Sequence, residues 1–409
     1  MSNMVARVRW LSALLLAALV LVAASTRIRA DTGMCGGASL TLPFTDVTSS
    51  NIFFCSIASA YFSGLTNGTS PTTYSPMEPV LREQMAAFVS RTLDQSLRRG
   101  SRRAALNQWW TPAVFPSYAK TPVGQGPHGV AYDGADLWVA NRNEGTVTRV
   151  RASDGLVRQT WIGALEPIVA VVAQGAIYVA GSTAPNGRLY SILPTTSGTT
   201  PPVTLITDQL DALPSGIAFD GTAVWTANSD TQGSGSVSRV INGIPTTVGV
   251  GFSHPLGMLY DGANIWVTDD GDRQLKKLNT DASIAVSVPV GVTPAHPAFD
   301  GINIWVPNAF SNSVTVVRVK DAQGTSLATP FVLATLAGNG LNDPITAAFD
   351  GQRVLVANRL GNGVSLWKAA DLTPLGFFSP GSDTNAWGAC SDGVNFWVTL
   401  QGTAQLLRY

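Results

Sequence analysis

Histidine and cysteine are scarce in this sequence, with three of each among 409 residues. So few leave no Cys-x-x-Cys pair and no Cys/His cluster at metal-ligand spacing, so nothing implies a resident metal or cofactor. Charge is sparse as well. Only 13% of residues are Asp, Glu, Lys or Arg, and 26 basic residues balance 26 acidic ones. Without a basic excess there is no electrostatic footprint for nucleic acid or an anionic membrane. No phosphate-binding glycine loop is found, and "GSGSVS" from Gly233 lacks the strand–turn–helix setting of a nucleophile elbow.

What is abundant is turn-forming: 40 glycines and 24 prolines. That balance suits many short strands joined by tight turns. The start of the chain reads as a secretory signal, residues 1–30. Arg7 and Arg9 precede an apolar run, "WLSALLLAALVLVAAS", and small residues follow. The run is shorter than the ~20 residues of a membrane span, so the mature chain is expected to carry no transmembrane segment and to be exported, to the cell surface or periplasm or beyond. In an oxidising compartment Cys35 and Cys55 are candidates for a disulfide, and Cys390 remains as a small buried hydrophobe in an apolar strand.

Residues 31–105 form a first domain with two expected helices. One spans about residues 52–62, with Ser49, Ser50 and Asn51 as cap candidates and a stop at Gly64. The other follows "YSPMEP" and places Met85, Phe88, Val89, Leu93 and Leu97 on one face, a stripe to be buried. "FTDV" (Phe44 to Val47), "GLTNG" (Gly64 to Gly68), "YSP" and "LREQMAAF" (Leu81 to Phe88) resemble, in that order, a single S-layer homology (SLH) motif. The resemblance covers about 55 residues and implies a small helical module that attaches to cell-envelope polysaccharide. The family's basic contact residue maps onto Arg82, whose guanidinium fork suits a carboxylate or pyruvyl group on a sugar. Leu81 stands where the family has Thr, Gln84 where it has Glu, and one copy is found where tandem copies are the rule. A linker, residues 106–116, follows the basic run "RRGSRR" and contains Trp109 and Trp110.

Residues 117–409 repeat. An apolar strand, Asp-Gly, two residues and an apolar-Trp-Val strand recur at Asp133, Asp220, Asp261, Asp300, Asp350 and Asp392, with a degenerate copy at Gln174. The copies stand 39 to 50 residues apart. That period, with strand signals only, predicts a mainly β fold of seven propeller blades. Asp-Gly makes the first hairpin turn, and the following aromatic (Trp138, Tyr178, Trp225, Trp266, Trp305, Trp397) fills the wedge between blades. Asn or Asp eight places after the repeat Asp (Asn141, Asn228, Asp269, Asn308, Asn358) is expected to turn the next hairpin by bonding its own backbone. The last copy runs out after three strands at "AQLLRY", and "YAKTPVGQG" before the first copy supplies the missing fourth. These units resemble NHL, YVTN and streptogramin-lyase-like propeller repeats across about 290 residues, a likeness that implies architecture more than activity.

His128, His254 and His296 all lie near the entry to an innermost strand, and propeller topology gathers such entries at one mouth of the central channel. They are candidate ligand-binding residues, with no carboxylate partner fixed by spacing; the alternative is a polar residue where a blade begins. The lyases resemble this chain at "PHG" (Pro127 to Gly129) but carry a Glu-x-x-His pair, and no Glu-x-x-His occurs here. "TDDGD" (Thr268 to Asp272) reads as a hairpin turn rather than a calcium loop. The sequence thus predicts an envelope-associated protein whose propeller is a non-catalytic platform for a protein or glycan. A channel-mouth hydrolase, lactonase or lyase and a structural surface-layer component are the alternatives.

Overall fold

The computed structural model describes residues 30–35, 38–62, 64–97, 120–183, 185–194, 202–229 and 234–409. They belong to two compact units divided after Gln95. The expectations for the leader, the basic run at 98–103, the paired tryptophans and the linker lie outside the described residues.

The first unit opens with an antiparallel hairpin, β1 (Thr32–Cys35) and β2 (Ala38–Thr41), followed by α1 (Phe54–Phe62) and α2 (Arg82–Leu97). Cys35 and Cys55 are joined in a disulfide between the hairpin and α1. Leu42, Phe44, Val47, Phe54, Ile57 and Ala58 form the core, with the Phe44 ring 5.1 Å from Tyr61 and 5.3 Å from Tyr74. "FTDV" and "YSP" meet through Asp46, whose carboxylate accepts the Tyr74 and Ser75 N–H groups at 2.8 and 2.7 Å. Helix α1 begins two residues later than its apolar pattern predicts, because Asn51 Oδ1 accepts the Phe53 N–H at 2.8 Å and caps the first turn there. Helix α2 is capped by Gln84, whose side-chain oxygen accepts the Leu81 N–H at 2.8 Å, one half of a capping box. Its apolar stripe is not buried as expected: Met85 and Val89 are exposed and Phe88 is only partly covered. Helical spacing establishes that these residues share a face, and among the described residues of the first unit nothing covers Met85 and Val89.

The second unit contains seven four-stranded antiparallel sheets. In blade one the strands are β4 (Pro127–Tyr132), β5 (Asp136–Asn141), β6 (Thr146–Arg151) and β7 (Val157–Ile162), ordered from the channel outward. Five more blades follow the same order, with innermost strands β8 (Pro167–Ala173), β12 (Pro214–Phe219), β16 (Pro255–Tyr260), β20 (Ala298–Phe299) and β24 (Pro344–Phe349). Blade seven joins β28 (Ala386–Ser391), β29 (Phe396–Leu400) and β30 (Gln405–Arg408) to β3 (Lys120–Pro122), with Lys120 opposite Leu407 and Pro122 opposite Gln405. The fourth strand of the last blade comes from ahead of the first, as the truncated last repeat predicts.

The repeat Asp holds the first turn. In blade one Asp133 Oδ1 accepts the N–H groups of Ala135 and Asp136, while Oδ2 accepts the Trp138 indole N–H at 2.8 Å. The same indole bond recurs from Trp225, Trp266, Trp305 and Trp397 at 2.7 to 2.8 Å. The glycine after each Asp takes a positive φ, 84° to 102°, that L-residues rarely adopt. In the degenerate copy Gln174 and Gly175 both have positive φ, and Ala173 pairs directly with Ala176, a two-residue turn that needs no Asp. The tryptophans fill the wedges: Trp138 packs on Ile177 and Val179 of the next blade, and Trp397 on Leu137 and Val139 across the ring closure.

The Asn eight places after the Asp does something other than turn a hairpin. Asn141, Asn228, Asn308 and Asn358 are wholly buried and donate to hydroxyls of the third strand: Thr146 and Thr148, Ser236 and Ser238, Ser313 and Thr315, and Ser365. These bonds tie the second strand to the third because, with the amide pointing inward, the third-strand hydroxyls are its nearest partners.

Candidate functional site at the channel mouth

Every described innermost strand except β20 begins with a register shift against its neighbour, just after the residue opposite the buried Asn, Asp or equivalent. The shift releases one or two residues from the ladder and turns them toward the neighbouring blade and the channel. In blade seven the released Gly388 N–H is taken by Thr399 Oγ1, whose hydroxyl donates to the His128 carbonyl at 2.6 Å. Thr268 makes the same link from blade four to the Ala295 carbonyl at 2.8 Å. The segment that carries His128 is therefore placed by a repeated inter-blade device.

The three candidate histidines separate. His128 is buried, 2% exposed, and both its ring nitrogens are used. Nδ1 lies 2.9 Å from the Gly126 carbonyl and so carries the proton; Nε2 then accepts from the Gln401 amide at 3.3 Å. Its ring lies 4.6 Å from that of Trp387. Burial lowers its pKa, the Gly126 bond opposes this, and the positive charge of Arg142 adds to the lowering. His296 lines the channel, and its side chain forms no hydrogen bond among the described residues. Burial, reinforced by His128, pushes its pKa down to about 4. His254 stands apart at the mouth, with Nδ1 3.4 Å from Asp270 Oδ2, a carboxylate partner that spacing alone did not reveal. Only His128 and His296 share the channel end.

Two residues that the search for histidines passed over belong to the same place. Trp387 precedes its repeat Asp by five residues, as His128 does, and Thr346 precedes its own by four, as His296 does. Aligning the copies on Asp would have found both. Trp387, His296 and Thr346 line a cavity of about 170 Å³ together with Ile168, Ile217 and Met258. Around the mouth, Arg359 lies 5.0 Å over the Trp387 ring and pairs with Asp343 at 2.5 Å, and Arg142 pairs with Glu166 at 2.9 Å. Phe310 and Leu360 occupy equivalent loop positions in blades five and six and are 82% and 63% exposed. No group of three or more His, Cys, Asp or Glu side chains converges as a metal site among the described residues. "TDDGD" forms a hairpin whose Asp269 and Asp272 both bind Lys276.

The disulfide candidates are bonded, as described above. Arg82 is the first residue of α2, exposed, with no hydrogen bond or ion pair to described residues. Cys390 packs beside Trp397 and Leu406, and burial pushes its thiol pKa well up.

This ring is shared with known structures. Streptogramin B lyase superposes with a TM-score of 0.54 at 15% identity, covering 71% of this chain and 95% of the lyase. Virginiamycin B lyase from Staphylococcus aureus gives 0.55 at 13%, over 71% and 97%. The WD40 propeller domain of Doa1 gives 0.55 at 12%, over 71% and 95%. At such identities the likeness establishes the propeller fold alone. No family pattern and no curated protein matches the sequence.

Proposed function

We propose that this is an exported, envelope-associated binding protein, its SLH-like first unit attaching to envelope polysaccharide and its propeller offering the channel mouth to a protein or glycan without catalysis. The observation that carries the binding reading is the channel lining. It has a neutral imidazole, a hydroxyl and an indole set among aliphatic side chains, the mix typical of recognition sites. Acid–base chemistry would want a proton-transfer pair there, and His128 spends both nitrogens on Gly126 and Gln401. The Cys35–Cys55 disulfide supports an oxidising compartment. Attachment is supported by the meeting of "FTDV" and "YSP" and by Arg82, exposed and without a hydrogen bond or ion pair among the described residues. Co-sedimentation of the full chain with purified envelope fragments tests it. The wild type is expected to pellet and Arg82→Ala to stay largely in solution. Equal pelleting removes Arg82 from the contact, and a soluble wild type removes attachment altogether.

A further inference from the structure

The chemistry of the channel's ligand can be narrowed from its walls. About 170 Å³ is open inside the ring, room for roughly five or six waters at about 30 Å³ each. The lining divides by blade. Blades one to four contribute glycine and aliphatic groups, chiefly Ile168, Ile217 and Met258. Blades five, six and seven contribute His296, Thr346 and Trp387. None of these three side chains hydrogen-bonds to a described residue, and none of their polar atoms is among the groups sealed from solvent without a partner. One wall is therefore aliphatic, and the other holds an imidazole, a hydroxyl and an indole N–H with unused bonding capacity. No charged side chain lines the cavity.

We propose that the channel binds a neutral, hydroxyl-bearing ring the size of one monosaccharide, its C–H face on the aliphatic wall and its hydroxyl edge on His296, Thr346 and Trp387. The proposal rests on the non-catalytic binding reading and names its ligand class. A carboxylate or ammonium group would lose water here and meet no opposite charge among the lining side chains, since Arg359 and Arg142 at the mouth are already paired with Asp343 and Glu166. The imidazole matches a hydroxyl because, with its pKa held near 4, His296 is neutral at ordinary pH and offers one donor and one acceptor. A hydroxylated ring presents both characters at once, whereas a purely apolar ligand would leave three polar groups unsatisfied.

Calorimetric titration of the full-length protein with glucose, galactose, mannose and N-acetylglucosamine, beside glucuronate and glucosamine, tests this. One neutral sugar or more should bind saturably at one site per chain, with its charged counterpart at least about tenfold weaker. Thr346→Val, nearly the same in shape, should weaken binding about three- to tenfold, the range for one neutral hydrogen bond. Ala170→Phe should fill the cavity and abolish binding, with melting curves checking that each variant folds. If Ala170→Phe misfolds, Thr346→Val carries the test. A cavity holding water only, with no saturable sugar, overturns the proposal, and so does equal binding of charged and neutral sugars. Binding of an envelope glycan that survives both substitutions would overturn the channel site while leaving the platform reading intact.

Discussion

A carboxylate that takes two backbone N–H groups on one oxygen and an indole on the other is the smallest repeated device in this ring. The sequence displays the Asp-Gly turn and the tryptophan wedge, whereas the bond between Asp and Trp, five residues apart, shows only in the fold. Blade six, which has Leu355 in place of tryptophan, shows how the device is kept: Arg353 replaces the indole and reaches Asp350 Oδ2 at 2.7 Å, both side chains wholly buried. Histidine is harder to read, because its role depends on what faces it. His296 is held neutral in the fold, with its pKa near 4, while in the unfolded chain it returns to about 6.5. Between those values the unfolded chain binds a proton that the folded one refuses, so stability is full above pH about 6.5 and falls as the pH drops toward 4. Urea midpoints should therefore decline from pH about 7 to about 5, and His296→Gln should flatten part of that decline. His128, whose pKa burial also lowers, adds to the decline in the same direction. A slope unchanged by His296→Gln would show that the imidazole is charged or solvated in the fold.

At the scale of the element, the link between second and third strands is a neutral amide on hydroxyls in blades one, three, five and six, but blade four builds it from charge. Asp269, wholly buried, takes the Ser253 and His254 N–H groups at 2.9 and 2.8 Å and the Lys276 ammonium at 2.7 Å. Lys276 is 1% exposed and also donates to the Gly251 carbonyl at 2.6 Å. A buried pair of this kind is weak evidence of net stabilisation, yet breaking it from one side is costly. Lys276→Thr alone should destabilise the unit by about 3–5 kcal/mol, whereas Asp269→Asn with Lys276→Thr recreates the neutral arrangement of the neighbours and should recover most of that loss. A denaturant cycle on the two singles and the double measures it, and strictly additive losses would show that the two groups do not act as a pair. The acidic run "TDDGD" was legible as a turn, but its lysine counter-charge was not, because strand pairing brings it there. The same limit appears in the first unit. Spacing places Met85 and Val89 on one face of α2, and only tertiary structure could show that these two side chains are exposed.

For the whole molecule, repeat counting was sufficient to set the number of blades and even the way the ring closes, since a last copy one strand short must borrow from elsewhere. What counting could not show is that the seam is fastened twice. On one side β3 pairs with β30, Thr121 Oγ1 donates to the Gly155 carbonyl of blade one at 2.8 Å, and Lys120 Nζ reaches the Pro380 carbonyl at 2.7 Å. On the other, His128 of blade one stacks near Trp387 and meets Gln401 and Thr399 of blade seven. The histidine that looks most like a catalytic residue in the sequence is thus part of the closure, which explains why most copies of the repeat lack it. Opening the first fastening exposes the edges of β30 and the Trp397–Leu406 core to water. A chain beginning at residue 125 should therefore melt on the order of 10 °C below one beginning at residue 118, a loss of about 3–5 kcal/mol for a unit of this size. A synthetic peptide spanning residues 118–126, added in trans, should restore much of the difference by re-forming the strand pairing. Equal melting of the two truncated chains would mean that the His128 fastening holds the ring unaided.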